Sequence, residues 1–415
     1  MKALDDWLSY IEGLHPKAWD LGLDRVNQVA EELGLKEHTA LVFTVAGTNG
    51  KGSTCEFIEQ FCLEVGYSVG KSTSPHLLRF NERIQINGKS VSDQDIVSAF
   101  ETIETSRGNI SLTYFEFSVL ASVLIFARGN VDVWVLEVGL GGRLDAMNIF
   151  DRDVSVVTQI ALDHQAWLGS TRELIALEKA AILRSNIPCV VADLDPPSSF
   201  KQYASRVGSQ MYYIGDDFNY ENNTIDIQGR VISEVPVSHL PKSSAVAALQ
   251  AVSSLGMEIS DSQIFDVISR TRLMGRLQWC DTTPRVLCDV AHNPAATIYL
   301  RDYVKNYLLS SESKPRVHAL VGMYSDKEMS KVIQLMSEIV HQWYFTDMDD
   351  SRAANAEELQ SVLDDRSHVV TCDNIQSALR EARKDLAIDD LLVVYGSFPV
   401  VAGVLGSLSK FHLEE

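Results

Sequence analysis

The sequence predicts an α/β fold in two domains, and three observations carry that expectation. Short β-rich runs alternate with amphipathic segments along the chain, the pattern of a parallel sheet with helices on both faces. The alternation pauses and then restarts after Gly275-Arg276. At 415 residues the chain exceeds one ordinary core, so two domains are the natural division.

In the first series, strands are expected at Leu41 to Ala46, Tyr67 to Lys71, Val131 to Val138, Val154 to Ile160 and Pro188 to Ala192. In the second they are expected at Arg285 to Val290, Arg316 to Gly322, Val369 to Cys372 and Leu391 to Gly396, making a smaller α/β domain. The join is placed near Cys280-Asp281-Thr282-Thr283-Pro284, a short polar stretch ending in proline, which gives domains 1–280 and 281–415. Asp216 to Val235, rich in Asn and Asp, reads as a surface hairpin, and Thr346 to Asn355 as a solvated loop. No internal repeat or low-complexity segment is visible.

Composition excludes several function classes. With 46% hydrophobic and 22% charged residues the chain reads as soluble and globular. Its formal net charge of -20, from 56 acidic and 36 basic residues without a basic stretch, would repel a nucleic-acid backbone. The longest apolar candidate, Phe117 to Ala127, falls well short of the roughly 20 residues needed to span a membrane. The start Met1-Lys2-Ala3-Leu4-Asp5-Asp6 lacks the charge pattern of a signal peptide. Six cysteines without a C-x-x-C pair suit a reducing compartment, so a cytoplasmic protein is expected.

The most informative motif follows the Leu41 to Ala46 run. Gly47-Thr48-Asn49-Gly50-Lys51-Gly52-Ser53-Thr54 reads as a strand, a phosphate-binding loop and a helix start, which makes the chain an expected ATP user. Three glycines within six residues let backbone N–H groups converge on phosphate oxygens, and the helix N-terminus adds partial positive charge. Lys51 would reach the terminal phosphates, and Ser53 or Thr54 would hold a magnesium ion. Val45 stands where the standard pattern has its first glycine, and the hydroxyl comes two residues after the lysine instead of one, which points to a subclass.

Further chemistry gathers at strand ends. Ser72-Thr73-Ser74-Pro75-His76-Leu77 brings hydroxyls to the end of the second strand, at the usual ligand edge of a parallel sheet. Glu137 closes an otherwise apolar strand, where a carboxylate needs a cation partner. Gly139-Leu140-Gly141-Gly142-Arg143-Leu144-Asp145 reads as a flexible turn, and Asp163-His164 ends the next strand, so that His164 would join Glu137 as a magnesium ligand or near neighbour. Lys179 lies in a helix among apolar neighbours, which alone suggests a surface lysine. Beyond the join, Arg276 and Asp289-Val290-Ala291-His292-Asn293-Pro294 supply a cation and a polar strand-to-helix turn, and residues of both domains are expected to flank one cleft that closes around ATP.

Taken in order, Gly47 to Ser53, Thr73-Ser74-Pro75-His76-Leu77, Phe80-Asn81-Glu82-Arg83-Ile84, Glu137 to Gly142, Leu162-Asp163-His164 and Ala291-His292-Asn293-Pro294 resemble the bacterial dihydrofolate synthase/folylpolyglutamate synthase family of the Mur ligase superfamily. The resemblance implies a Mur-ligase-like P-loop domain with a parallel-rich central sheet flanked by helices, plus a smaller Rossmann-like α/β C-terminal domain that helps bind glutamate. It implies nucleotide contacts by Gly47, Thr48, Asn49, Gly50, Lys51, Gly52, Ser53, Thr54, Arg276 and Asp289, with His292 near the phosphoryl-transfer centre. Two magnesium sites would use Ser53, Ser74, Glu137, His164 and a carbamylated Lys179, with a monovalent cation as a further expectation. Lys51, Lys179, Arg276 and His292 would carry catalysis. The folate pocket would draw on Leu21, Leu23, Arg79, Thr113, Phe115, Asp145 and Ala146, with Phe115 stacking on the pterin and Asp145 bonding its amino-pyrimidine edge.

The activity so implied is ATP-dependent addition of L-glutamate to dihydropteroate and to the γ-carboxylate of reduced folates, by a monomer. The other readings are polyglutamate synthesis alone, a cell-wall Mur-type amino-acid ligase, and a nucleotide-binding regulatory module that has lost catalysis. Departures from the family pattern are Ser244 for an adenine-holding asparagine, Ala181 for a glycine, Met274 for a proline and Pro399 for a histidine.

Overall fold

The computed structural model describes residues 2–17, 20–280 and 282–411, so Asp281 of the expected join lies outside the described residues. The chain divides into two compact units, Met1–Thr271 and Arg272–Glu415.

The first unit holds an eight-stranded sheet formed by β1 (Leu41–Ala46), β2 (Val69–Ser72), β3 (Ile84–Ile86), β4 (Lys89–Ser90), β5 (Val133–Glu137), β6 (Val154–Val157), β7 (Pro188–Val191) and β8 (Gln210–Tyr213). Their order is β4-β3-β2-β5-β1-β6-β7-β8. The run from β2 to β8 is parallel, while β3 turns back antiparallel on β2, and β4 on β3. Branched apolar residues explain the central strands: Val42, Val45, Val133, Val135, Val154 and Val156 are buried between covering helices. Because β1 connects towards β2 on one side and the chain later crosses to β6 on the other, the C-terminal end of β1 lies at the switch in strand order, where ligands of such sheets bind.

The expected surface hairpin at Asp216 to Val235 is instead a three-stranded antiparallel sheet, β9 (Phe218–Glu221), β10 (Thr224–Ile227) and β11 (Arg230–Ile232). Alternation explains it, since Phe218, Tyr220, Ile225 and Ile227 all point to one buried face. The turn residues Asn222 and Asn223 both adopt positive φ, the chemistry of a tight hairpin.

The second unit carries β12 (Gln278–Cys280), β13 (Arg285–Cys288), β14 (Val317–Val321), β15 (Gln342–Thr346), β16 (Val369–Cys372) and β17 (Leu391–Tyr395), ordered β12-β13-β17-β14-β15-β16. Only β12 is antiparallel. Its pairing with β13 draws residues 272–280 into this unit, so the division falls before the polar stretch around Cys280 that marked the expected join. The segment after Thr346 is a loop, but an anchored one: Met348 and Ala354 are buried, and Asp350 pairs with Arg352 at 2.7 Å. Each unit has its own apolar core. All six cysteines are free thiols. Among the described residues no helix is long and apolar enough to cross a membrane.

Candidate active site

The loop after β1 is seated by the strand beside it. Ala46 pairs with Val157, which sets Gly47 against Thr158; a Cβ at Gly47 would stand 1.7 Å from the Thr158 hydroxyl, so only glycine fits. Thr48 donates its N–H to the Gln159 carbonyl at 2.7 Å and its hydroxyl to the Ala161 carbonyl at 3.1 Å. Asn49 reaches the Gln159 side chain at 3.1 Å. These contacts hold the loop to the segment that follows β6, so Thr48 acts first as an anchor. Gly50, at φ 89°, then turns the chain into the helix Lys51–Glu64. Regular helix bonding starts with the Thr54 N–H on the Gly50 carbonyl, which leaves the first-turn amides to an anion at the helix start. Thr54 turns its hydroxyl back to the same carbonyl at 2.9 Å, so Ser53 is the hydroxyl suited to a metal.

Two lysines meet at this loop. Lys51 Nζ donates to the carbonyls of Gly47 at 3.2 Å and Thr48 at 3.3 Å. Lys179 Nζ donates to the Gly47 carbonyl at 2.7 Å, although its side chain is only 3% exposed. The surface reading of Lys179 is therefore overturned: it sits on the inner face of the helix Arg172–Ala180, beside buried Ile175 and Ala176. That helix packs tightly on the glycine turn, where a Cβ at Gly142 would stand 2.8 Å from the Glu178 carbonyl. The turn expected to be flexible is thus a close-packed seat, and Arg143 pins it by pairing with Glu178 at 3.0 Å. Burial and the neighbouring Lys51 charge lower the Lys179 ammonium from its usual range to about 7.

Glu137 ends β5, paired in register with Val45 one residue before Ala46, and is buried. One of its oxygens accepts the Ser74 N–H at 3.0 Å, which brings Ser74 and Glu137 together as expected. His164, in the left-handed conformation at φ 50°, starts the short helix Gln165–Leu168, and its N–H donates to Asp163 at 2.8 Å. Behind the site, Lys71 of β2 is buried and ion-paired with Glu56 and, at 2.5 Å, Glu59, both on the loop helix. Burial alone would lower the Lys71 ammonium, but these two carboxylates hold it above its usual range.

No three His, Cys, Asp or Glu side chains converge as a metal cluster among the described residues. The donor set nonetheless fits magnesium, which binds through one or two carboxylates together with hydroxyls, waters and substrate phosphates. Glu137, Ser74 and Ser53 offer those donors at the edge where the loop would present phosphate oxygens.

Beside Ser74 a narrow cleft lies between β2 and the helix Tyr114–Gly129, lined among others by Thr73, Arg83, Phe115, Ser118 and Met147. Of the expected folate residues, Phe115 alone lines it. Its ring also lies over Gly139, where a Cβ would meet it at 2.5 Å. Thr113 and Glu116 form the reciprocal cap of the helix, and Glu116 further binds Arg25 at 3.2 Å, which ties in Asp20. Asp145 is buried, with its oxygens accepting the Leu140 and Met147 N–H groups at 2.8 and 2.9 Å; burial raises its carboxyl to about 6. Ala146 is buried beside it, Leu23 packs on the core, and Leu21 is exposed. Arg79 pairs with Asp93 at 3.0 Å in an exposed position away from the cleft lining. Arg83 and Met147 line the cleft without having been assigned a role from the sequence.

In the second unit, Asp289 follows β13 and accepts the Leu277 and Ala291 N–H groups, both at 2.8 Å. Burial raises its carboxyl, against the opposing pull of Arg276. The Arg276 guanidinium lies 5.1 Å from the centre of the Phe398 ring, and the His292 ring lies 6.5 Å from the same ring. His292 Nδ1 is 2.9 Å from the Val290 carbonyl. The three expected residues of this unit are thus neighbours at the ends of β13 and β17. Ser244, in the first unit, lies against the phosphate loop, its hydroxyl donating to the Gly50 carbonyl at 3.4 Å.

Comparison with known proteins gives this geometry relatives. Residues 45–244 match the Mur ligase middle domain, and residues 275–398 the Mur ligase glutamate ligase domain. The chain is 40% identical over 407 residues to the dihydrofolate synthase/folylpolyglutamate synthase of Escherichia coli K12, covering 97% of this chain and 94% of that protein. The Bacillus subtilis protein of the same name is 31% identical, covering 86% and 88%. Escherichia coli FolC in complex with DHPP and ADP superimposes with a TM-score of 0.95 at 40% identity, covering 99% of both chains. The bifunctional Yersinia pestis enzyme complexed with AMPPNP and Mn ion gives 0.93 at 39%, covering 99% of this chain and 98% of that one. With the loop, the glycine seat and the buried lysine all in place, the chain belongs to the dihydrofolate synthase/folylpolyglutamate synthase family of ATP-dependent Mur-type ligases.

Proposed function

We propose that this protein joins L-glutamate to dihydropteroate, forming dihydrofolate, and to the γ-carboxylate of reduced folates, forming polyglutamates, with ATP as the energy source. The observation that carries this reading is the meeting of Lys51 and Lys179 at the Gly47 carbonyl, on the same sheet edge as Glu137 and Ser74. That edge offers amides and cations to a polyphosphate, and a carboxylate and hydroxyls to its metal.

An acceptor carboxylate oxygen attacks the γ-phosphorus of ATP, ADP leaves, and an acyl phosphate forms. The amine of L-glutamate then attacks the acyl carbon, inorganic phosphate departs with the activated oxygen, and a proton is released. No side-chain nucleophile is required. Two anions must approach one another, so Lys51 and the first-turn amides stabilise charge that builds on the transferring group. When bound, magnesium would be held by Glu137, Ser74, Ser53 and His164, and would neutralise phosphate charge.

Lys179 takes up carbon dioxide to become a carbamate. Two ammonium groups on one buried carbonyl repel each other, and the carbamate turns one of them into an anionic oxygen donor for a second cation. Phe115 and Met147 form the apolar wall against which a flat acceptor ring packs. Arg276, Asp289 and His292 serve the nucleotide and the transferring phosphoryl group from the second unit. The free cysteines suit a reducing, cytoplasmic setting, and the protein works as a monomer.

Incubation with ATP, magnesium and L-glutamate, plus either dihydropteroate or tetrahydrofolate, should give products heavier by glutamyl residues on mass analysis, with Lys51→Ala reduced at least ~100-fold. Release of phosphate only with a nucleotide-linked peptide acceptor would establish the cell-wall ligase reading instead. Product from tetrahydrofolate alone would restrict the activity to polyglutamate synthesis.

A further inference from the structure

Arg83 is the cation in the wall of the cleft, and among the described residues it makes no ion pair. It immediately precedes β3, and the antiparallel pairing of Ser72 with Ile84 sets it across from the Thr73–Ser74 turn; the Thr73 N–H donates to the Arg83 carbonyl at 3.1 Å. Its guanidinium packs beside two touching aromatic rings, 5.7 Å from the centre of Phe80 and 5.5 Å from that of Tyr114. Its Nε donates to His76 Nδ1 at 2.8 Å, so His76 is an acceptor at that nitrogen and orients the fork while bringing no negative charge. The nearest carboxylates are committed elsewhere. Glu82 accepts the N–H groups of Leu77, Leu78 and Arg79 at 2.7 to 2.8 Å, and Glu137 accepts that of Ser74. Burial accordingly pulls the Arg83 guanidinium below its usual range. A cation so placed, on the wall of a cleft shared with Phe115 and Ser74, is short of an anion.

We propose that Arg83 binds the carboxylate of the acceptor substrate and holds it at the Ser74–Glu137 edge for phosphorylation. This rests on the ligase reading above. The substrate's aromatic part takes the Phe115 and Met147 side of the cleft, and its carboxylate takes the guanidinium edge left open by the Nε bond to His76. The planar fork matches a carboxylate in two parallel hydrogen bonds, which a lysine cannot reproduce. Such a contact separates an acid from a neutral acceptor of the same shape, so Arg83 determines specificity as well as position.

The test is titration of the intact protein, in Mg-ADP, with dihydropteroate and with its carboxamide analogue, followed by steady-state kinetics. Wild type should bind the acid about ten- to hundredfold more tightly than the amide, the range of a charge-assisted pair. Arg83→Met should bind both alike at the amide's affinity, with a raised KM for dihydropteroate and an unchanged KM for ATP; Arg83→Lys should recover part of the preference. Equal affinity of wild type for acid and amide would overturn the assignment without any variant, which covers the case in which Arg83→Met fails to fold. A folded Arg83→Met that keeps the wild-type preference, or that weakens acid and amide equally, would also overturn it. Failure of wild type to bind either compound would instead remove the ligase reading, and the role of Arg83 with it.

Discussion

At the scale of single residues, burial decides chemistry that residue type alone leaves open. Lys179 and Asp145 are both buried, and both are pushed towards their neutral forms. For Lys179 the neutral amine is the form that captures carbon dioxide, so protein prepared free of carbon dioxide should lose most of its activity and recover it with bicarbonate. A bare ammonium in a well-resolved density map of active protein would contradict the carbamate. For Asp145 the folded value of about 6 lies above the ordinary 3.8, so the native state binds the proton more tightly than the unfolded chain. Its contribution favours the fold at low pH, and stability declines as pH rises from near 4 through 6, by a total on the order of 2–3 kcal/mol. Urea unfolding of wild type relative to Asp145→Asn should show that decline between pH 4 and pH 7, and a flat difference would show an unperturbed carboxyl. The sequence marked both positions, but burial, which sets their protonation, was not legible there.

Elements act here through close approach. The loop between β1 and the helix Lys51–Glu64 was legible because glycine spacing and a lysine are local signals. Its grip on Thr158, Gln159 and Ala161 was not, since those contacts join residues about 110 positions apart. Gly47→Ala should therefore be destabilising by about 1–3 kcal/mol, because the added methyl meets the Thr158 hydroxyl and one element must shift. Mg-ADP binding should weaken with it. Thermal melting and nucleotide titration check this, and a variant with wild-type values on both would show that the loop is loosely seated. The turn at Gly141-Gly142 carries the same lesson, as glycines that read as flexibility are places where the Lys179 helix comes within packing distance. Most strands were found within one to three residues of their expected limits, since valine-rich runs between helical patterns are strong signals. β3, β4, β8, β12 and β15 were missed; several are short edge strands whose pairing partners, more than their own composition, make them strands.

At the scale of the whole molecule, each unit closes its own apolar core, which makes each a candidate for independent folding. A fragment of residues 1–271 should melt cooperatively on calorimetry, as it keeps the phosphate loop, Lys179 and the Phe115 cleft. It should be inactive in glutamate ligation, because Arg276, Asp289 and His292 belong to the second unit. Turnover by the fragment would show that those three residues are dispensable. The division at Thr271 could not be read from the polar stretch near Cys280, because β12 belongs to whichever sheet it pairs with, and that sheet is built from residues further on.

The sequence by itself determined the α/β class, the phosphate loop, the glutamate at the end of β5 and the order of family motifs, because each is written in neighbouring residues or in a short period. Only the tertiary structure decided that Lys179 faces the loop, that Asp145 and Thr113 serve the backbone first, and that Arg83 stands across from Ser74. Those facts depend on strand pairing and helix seating between distant segments, and no local pattern of residue types encodes which distant segment a side chain will meet.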